Sequence, residues 1–209
     1  MRFAELDAVT LDAYGTLVEL ADPVPALREN LRALGVERDS EAVARAFAKE
    51  AAYYRERSFE GRDDKSLHRL RLECVAIILD DLESDLEPEA FVEGFVASMR
   101  FRLVDGASAA VEALRRRGLA LAVVSNWDFG LPQQLEGLGL GDAVVVTSAE
   151  AGTPKPDPAV FERALRRLAV QLPGRAMHVG DSEADEAGSR AAGMHFAPAP
   201  LAAAVEALE

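Results

Sequence analysis

The strongest constraint on the fold is a recurring pattern in which a short apolar, β-prone run stops at a polar turn. The first instance is V-T-L-D-A-Y-G-T-L, Val9 to Leu17, where the run delivers Asp12 to a turn containing Gly15 and Thr16. Such a run reads as a buried strand with an acidic residue at its C-terminal lip, the place where open α/β sheets keep their chemistry. An Asp at this point also caps a turn through its own backbone, and the stretch alone supports both readings. Three later runs end the same way: A-V-V-S-N (Ala122 to Asn126), G-T-P-K-P-D-P (Gly152 to Pro158) and H-V-G-D-S-E-A-D (His178 to Asp185).

Beyond Gly106 the pattern alternates. Val111 and Leu114 mark a helix closed by Gly118, Leu119 to Val124 a strand, and Leu131, Leu135 and Leu138 a short helix ended by Gly139. A strand over Val144–Thr147, a helix over Pro158–Leu168, a strand over Ala176–Val179, a helix over Glu183–Ala192 and a strand over His195–Ala197 follow, with an Ala-rich terminal helix. This predicts βα units and an α/β fold with a doubly wound, Rossmann-like parallel sheet.

Between these parts lie four amphipathic helices. The first opens at Asp22, Pro23 and Pro25 with Leu27, Leu31 and Leu34 inward, and the second is capped by Asp39 or Ser40 with Val43, Phe47, Ala51 and Tyr54 inward. The third carries Leu67, Leu70, Val75, Ile78 and Leu82, and the fourth starts near Pro88 with Phe91, Phe95 and Met99. The expected organisation is a core of residues 1–17 and 101–209 with an inserted helical bundle at 18–100.

Right-handed crossovers bring the C-terminal lips of parallel strands to one sheet edge, so Asp12, Ser125, Lys155, Asp181 and Asp185 can meet there. Three carboxylates in one cleft repel unless a cation lies between them. Acidic residues at 181 and 185 also suit the first turn of a helix, and the two roles are compatible. The chain has only three lysines, and one of them, Lys155, falls in this Pro-flanked turn.

Composition narrows the partners. A net charge of −13 argues against a nucleic-acid partner. No run approaches the ~20 apolar residues of a membrane span, and M-R-F-A-E-L-D lacks a signal peptide's apolar core, so the expected location is the cytoplasm. The single cysteine, Cys74, lies in a helical apolar pattern and reads as a small buried residue, not a nucleophile. Oligomeric state is open.

In order and spacing, the four lip motifs resemble those of the haloacid dehalogenase superfamily, whose members with a helical (C1-type) cap carry their insertion between the first two motifs. The resemblance implies a hydrolase that acts on a small anionic phosphate ester through an aspartyl-phosphate, with Mg²⁺ as cofactor. Asp12 would be nucleophile and metal ligand, and Tyr14 would offer its backbone carbonyl to the metal. Ser125, Asn126 and nearby N–H groups would hold the phosphoryl oxygens, and Lys155 would neutralise charge in transfer. Asp181 would bind the metal, with Asp185 a direct or water-bridged ligand.

Tyr14 departs from the family's phosphatases, most of which carry a second Asp there as general acid. A phenol is too weak an acid to replace it at neutral pH, which predicts slow turnover of ordinary phosphomonoesters. D-A-Y-G-T-L also resembles the first motif of 2-haloacid dehalogenases, which need neither this proton nor a metal. Those enzymes carry Ser and Asn where this chain has Asp181 and Ser182, and their cap arginine has no clear match here. The fourth motif therefore outweighs the first. The alternatives are a metal-independent dehalogenase, a weakly active binding module, and a relative of phosphonoacetaldehyde hydrolase using Lys49 or Lys65. Among the remaining residues, His68 and His195 read as packed or exposed and His178 as core or near the site, while Trp127 and Asp128 shape either the pocket or their own loop.

Overall fold

The computed structural model describes residues 5–208. Along the chain run β1 (Ala8–Leu11), β2 (Val18–Leu20), α1 (Val24–Ala33), α2 (Ser40–Arg57), α3 (Asp64–Asp81), α4 (Pro88–Ser98), β3 (Phe101–Leu103), α5 (Ala107–Arg116) and β4 (Ala120–Ser125). They are followed by α6 (Leu131–Gly137), β5 (Val144–Thr147), α7 (Ser148–Ala151), α8 (Ala159–Arg167), β6 (Ala176–Gly180), α9 (Glu183–Ala191), β7 (His195–Pro198) and α10 (Leu201–Glu206). The chain divides into two compact units, one made of the residues up to Glu19 and from Arg102 onward, the other of Leu20–Phe101.

The first unit is α/β. Among the described residues, one parallel sheet runs in the order β5-β4-β1-β6-β7. The chain moves outward from β1 through β4 to β5, then returns to the other side of β1 for β6 and β7. That reversal opens a crevice at the C-terminal end of β1. On one face Ala8, Ala122, Val124, Val146 and Ala176 pack with Val160, Phe161, Ala164 and Leu165 of α8. On the other, Leu11, Leu121 and Val123 share a recess with Val111 of α5, and α5 packs with α10. Both faces are covered, so the strands are apolar except for Thr10 in β1 and His178 in β6, and their other polar residues come at their ends. Two three-residue strands, β2 and β3, pair as a separate ribbon too short to show in the hydrophobic pattern.

The second unit is helical. α2 starts at Asp39, whose side chain accepts from Ala42 N, and α3 starts in an Asp63–Ser66 capping box. Leu27, Leu31, Val43, Ala46, Leu70, Val75, Ile78, Phe91 and Phe95 form its core. Two expectations need correction here. Leu34 lies past the last turn of α1 as its C-cap and is exposed. In α2 the fully buried positions are Val43, Ala46 and Glu50, with Phe47 and Tyr54 half-buried, because α2 packs against α1 and α3 at once and so presents more than one stripe.

Candidate active site

Asp12 follows β1 directly and is held there by its own N–H, which donates to Val179 O of β6 at 2.9 Å. The chain then turns tightly, with Leu17 N and Val18 N both donating to Ala13 O at 2.8 Å. Gly15 is required in this turn. Its φ is +82°, and a Cβ there would lie 2.0 Å from Asp181 Oδ2. Next to it, Thr16 is fully buried and its Oγ1 has no hydrogen-bond partner. Tyr14 is 53% exposed.

The other lips supply the rest. Ser125 ends β4 and donates from Oγ to Asp12 Oδ1 at 3.0 Å. Lys155, in the turn after α7, is 6% exposed; its Nζ donates to Asp12 Oδ1 at 2.5 Å, to Asp185 Oδ1, and to Val124 O at 3.3 Å. Asn126 clamps the Lys155 backbone from both sides, accepting from Lys155 N at 2.7 Å and donating to Lys155 O at 3.1 Å. Asp181 follows β6 and is exposed, whereas Asp185, at the third position of α9, is fully buried. Asp185 Oδ2 accepts from the Ser182 N–H and Oγ–H, so one residue serves both as half of a helix capping box and as part of the cluster.

The charges explain the titration directions. Burial alone would lower the Lys155 pKa, but the carboxylates of Asp12 and Asp185 outweigh it and hold it above the ordinary lysine range. Burial alone would raise the Asp185 pKa, yet the His178 hydrogen bond and the Lys155 ammonium hold it well below the usual carboxylate range. Asp181 is pushed up, by burial first and then by the charges of Asp12 and Asp185.

Asp12, Asp181 and Asp185 each place an oxygen within 4.8 Å of the others. Three carboxylates against one ammonium leave a net charge of −2. Together with the Gly15 cradle under Asp181, this hard-oxygen donor set suits a small divalent cation such as Mg²⁺. The structure thus brings together Asp12, Ser125, Lys155, Asp181 and Asp185. Trp127 and Asp128 are nearly buried and tie down their own loop: Trp127 N donates to Ser148 Oγ at 3.1 Å, and Asp128 Oδ1 accepts from Gly130 N at 2.7 Å. His195 is exposed and bonds Gly174 O.

A family model described as haloacid dehalogenase-like hydrolase matches residues 6–193. The chain belongs to this family. Haloacid dehalogenase-like hydrolase domain-containing protein 3 of Bos taurus is 35% identical over 219 aligned residues, covering 97% of this chain and 86% of that protein. The phosphoserine phosphatase of Thermus thermophilus is 40% identical over 113 residues, 51% of this chain and 43% of that protein. The crystal structure of a 2-haloacid dehalogenase from Pseudomonas syringae superposes with a TM-score of 0.62 at 27% identity, over 91% of this chain and 85% of that one. This haloacid dehalogenase-like chain is a hydrolase, and among the described residues no helix is long and apolar enough to cross a membrane. Relatives named for phosphate esters and for haloacids share its fold, so its chemistry has to be argued from side chains.

Sequence reasoning read His178 as core or near the site, and it is both, but missed its pairing with Thr10 behind the site. Thr10 shares a face of β1 with Asp12, two residues on, and His178 interrupts the otherwise apolar A-M-H-V-G of β6. Those two irregularities were the available signal.

Proposed function

We propose that the chain is a Mg²⁺-dependent phosphatase of a small phosphate ester, with Asp12 as nucleophile. The observation that carries this reading is the trio of Asp12, Asp181 and Asp185, of which Asp12 and Asp185 pair with one buried ammonium. A carboxylate at 181 has no role in halide displacement, whereas it completes an oxygen-rich site for a hard dication. Asp12, Asp181, the Tyr14 carbonyl and Asp185 would hold Mg²⁺, with Asp185 acting through water because its oxygens already receive four donors. When bound, the ion supplies positive charge for the phosphoryl oxygens.

Lys155 and Ser125 both bind Oδ1 of Asp12, which assigns the attack to Oδ2. A bond forms from Oδ2 to phosphorus as the ester P–O bond breaks, and the departing alkoxide takes a proton from solvent. Water then attacks phosphorus, the aspartyl-phosphate bond breaks, and inorganic phosphate leaves with the Asp12 carboxylate restored. Ser125 Oγ and the N–H groups beyond it hold the phosphoryl oxygens, and the Lys155 ammonium screens the charge that grows on them. Tyr14 supplies no strong acid, so esters with good leaving groups are favoured.

The test is a panel of aryl and alkyl phosphates beside 2-chloropropionate, each with Mg²⁺ and with EDTA. Phosphate release that needs Mg²⁺ is expected, and Asp12→Asn should lower it on the order of 10⁴-fold. Halide release indifferent to EDTA, with no phosphate from any ester, would make the protein a dehalogenase. Mg²⁺ binding with no turnover and no adduct on Asp12 after acetyl phosphate treatment would make it a binding module.

A further inference from the structure

His178 is a titratable group that the reaction above does not use. It is fully buried in the middle of β6, and the sheet register sets it directly beside Thr10 of β1. Both ring nitrogens are engaged: Nδ1 lies 2.8 Å from Thr10 Oγ1, and Nε2 lies 2.9 Å from Asp185 Oδ1. A carboxylate only accepts, so Nε2 carries the proton, and Nδ1 then receives the Thr10 hydroxyl. Asp185 thereby selects the tautomer, and the Thr10 hydroxyl satisfies the nitrogen left without a proton. The ring of Phe161 meets the imidazole edge-on, with centroids 4.9 Å apart at 79°, and fixes its plane.

We propose that Thr10 and His178 are a positioning pair that locks the Asp185 carboxylate and, through it, holds the Lys155 ammonium against Asp12. The proposal rests on the roles given to Asp12 and Lys155 above. An ammonium has three N–H donors, and the acceptors of Lys155 are Asp12 Oδ1, Asp185 Oδ1 and Val124 O. Two of these acceptors ride on adjacent strands of the sheet. The third is a side chain on α9, so the aim of the ammonium depends on how firmly Asp185 is held. His178 shares Oδ1 with Lys155, while Ser182 holds Oδ2 from the other side. Gly180 completes the slot, since a Cβ there would lie 2.4 Å from Asp185 Cγ. Without the His178 donor the carboxylate can rotate, and a misplacement of ~1 Å in such a group costs ~10²-fold in rate.

Three variants separate positioning from bulk. His178→Phe keeps a flat ring without the donor, His178→Gln restores an amide N–H near Nε2, and Thr10→Val removes the hydroxyl at nearly constant shape. With saturating Mg²⁺ and an aryl phosphate, His178→Phe should lower kcat about 10–100-fold, with KM and the calorimetric Mg²⁺ Kd changing less than about threefold. His178→Gln should recover most of that loss. The second readout is long-range ¹H–¹⁵N NMR of the metal-free protein, which has only three histidines to assign. The native ring should show a neutral Nε2–H tautomer, and Thr10→Val should disturb it.

An Nδ1–H tautomer in the native protein would overturn the proposal. So would an unchanged kcat in His178→Phe, equal losses in the Phe and Gln variants, or a Mg²⁺ Kd that rises as far as kcat falls. If His178→Phe does not fold, Thr10→Val and the tautomer signature decide. Failure of the native protein to hydrolyse any ester would strike the phosphatase reading instead, and the NMR would still test the pair.

Discussion

In the sheet-based unit Asp12 and Asp185 are buried against the ammonium of Lys155, whereas in the helical unit Glu50 is buried among apolar helices with the Cys74 thiol for company. The two environments exclude water to a similar degree, with Asp185 fully buried and Glu50 4% exposed, yet they have opposite effects on these two carboxyls. Asp185 is held far below the ordinary carboxylate range, while burial pushes Glu50 up to about 7, against a small opposing effect of the thiol. Burial alone thus does not decide whether a carboxylate stays charged. The groups within hydrogen-bonding reach do: the His178 N–H and then the Lys155 ammonium keep Asp185 charged.

Removing that cation is the most severe way to break the contrast. Lys155→Met strands two buried carboxylates, so ester hydrolysis should fall on the order of 10²–10³-fold. Urea denaturation at pH 7 should show a loss of about 3–5 kcal/mol. Because Lys155 helps to depress the Asp185 pKa, the stability gap between variant and native should narrow below about pH 4. A variant as stable as the native protein would mean that the cluster is not charged.

Glu50 tests the other half. Its folded value of about 7 exceeds the ordinary 4.5, so the folded state binds the proton more tightly. Stability from this group is full below about pH 4.5 and falls by ~3 kcal/mol as pH rises through about 7. Glu50→Gln should erase that slope in denaturation curves taken from pH 4 to 9, and should be the more stable protein at pH 8 to 9. An unchanged slope would mean that Glu50 is ionised and the two units are alike.

The smallest effect comes from adding a carboxylate where water reaches. Tyr14 is 53% exposed beside the buried cluster, so Tyr14→Asp supplies an acid without a buried charge to stabilise. Alkyl phosphate hydrolysis should rise about tenfold and aryl phosphate hydrolysis less, compared at saturating Mg²⁺. Equal gains for both would show that protonation of the leaving group was not the missing step.

The parts of the molecule that could be read in advance are those where local chemistry and position coincide. Asp12, Ser125 and Asp181 end or follow apolar strands, and Lys155 sits between prolines, so turn chemistry and strand period point to the same residues. The parallel sheet followed from the same alternation. Glu50 was not legible, because helix periodicity assigns a stripe to one partner and α2 has two. Nor was the Thr10–His178 contact, a pairing 168 positions apart that only strand order creates. The ribbon of β2 and β3 escaped because three residues are too few to carry a period.

The alignment of β1 with its neighbours has one more consequence. Thr10 pairs with His178 and Leu11 with Val123, and these partners set which side chains of β1 face α8. If β1 slipped by a single residue, every side chain would change faces, sending Thr10 and Asp12 toward α5 and leaving the Lys155 ammonium with Asp185 as its one carboxylate partner. Apolar residues tolerate such a slip, since both faces are greasy, but a buried ion cluster that loses one of its partners does not. The charged cluster therefore acts as a proofreader of assembly, making the mis-threaded sheet unstable as well as inactive.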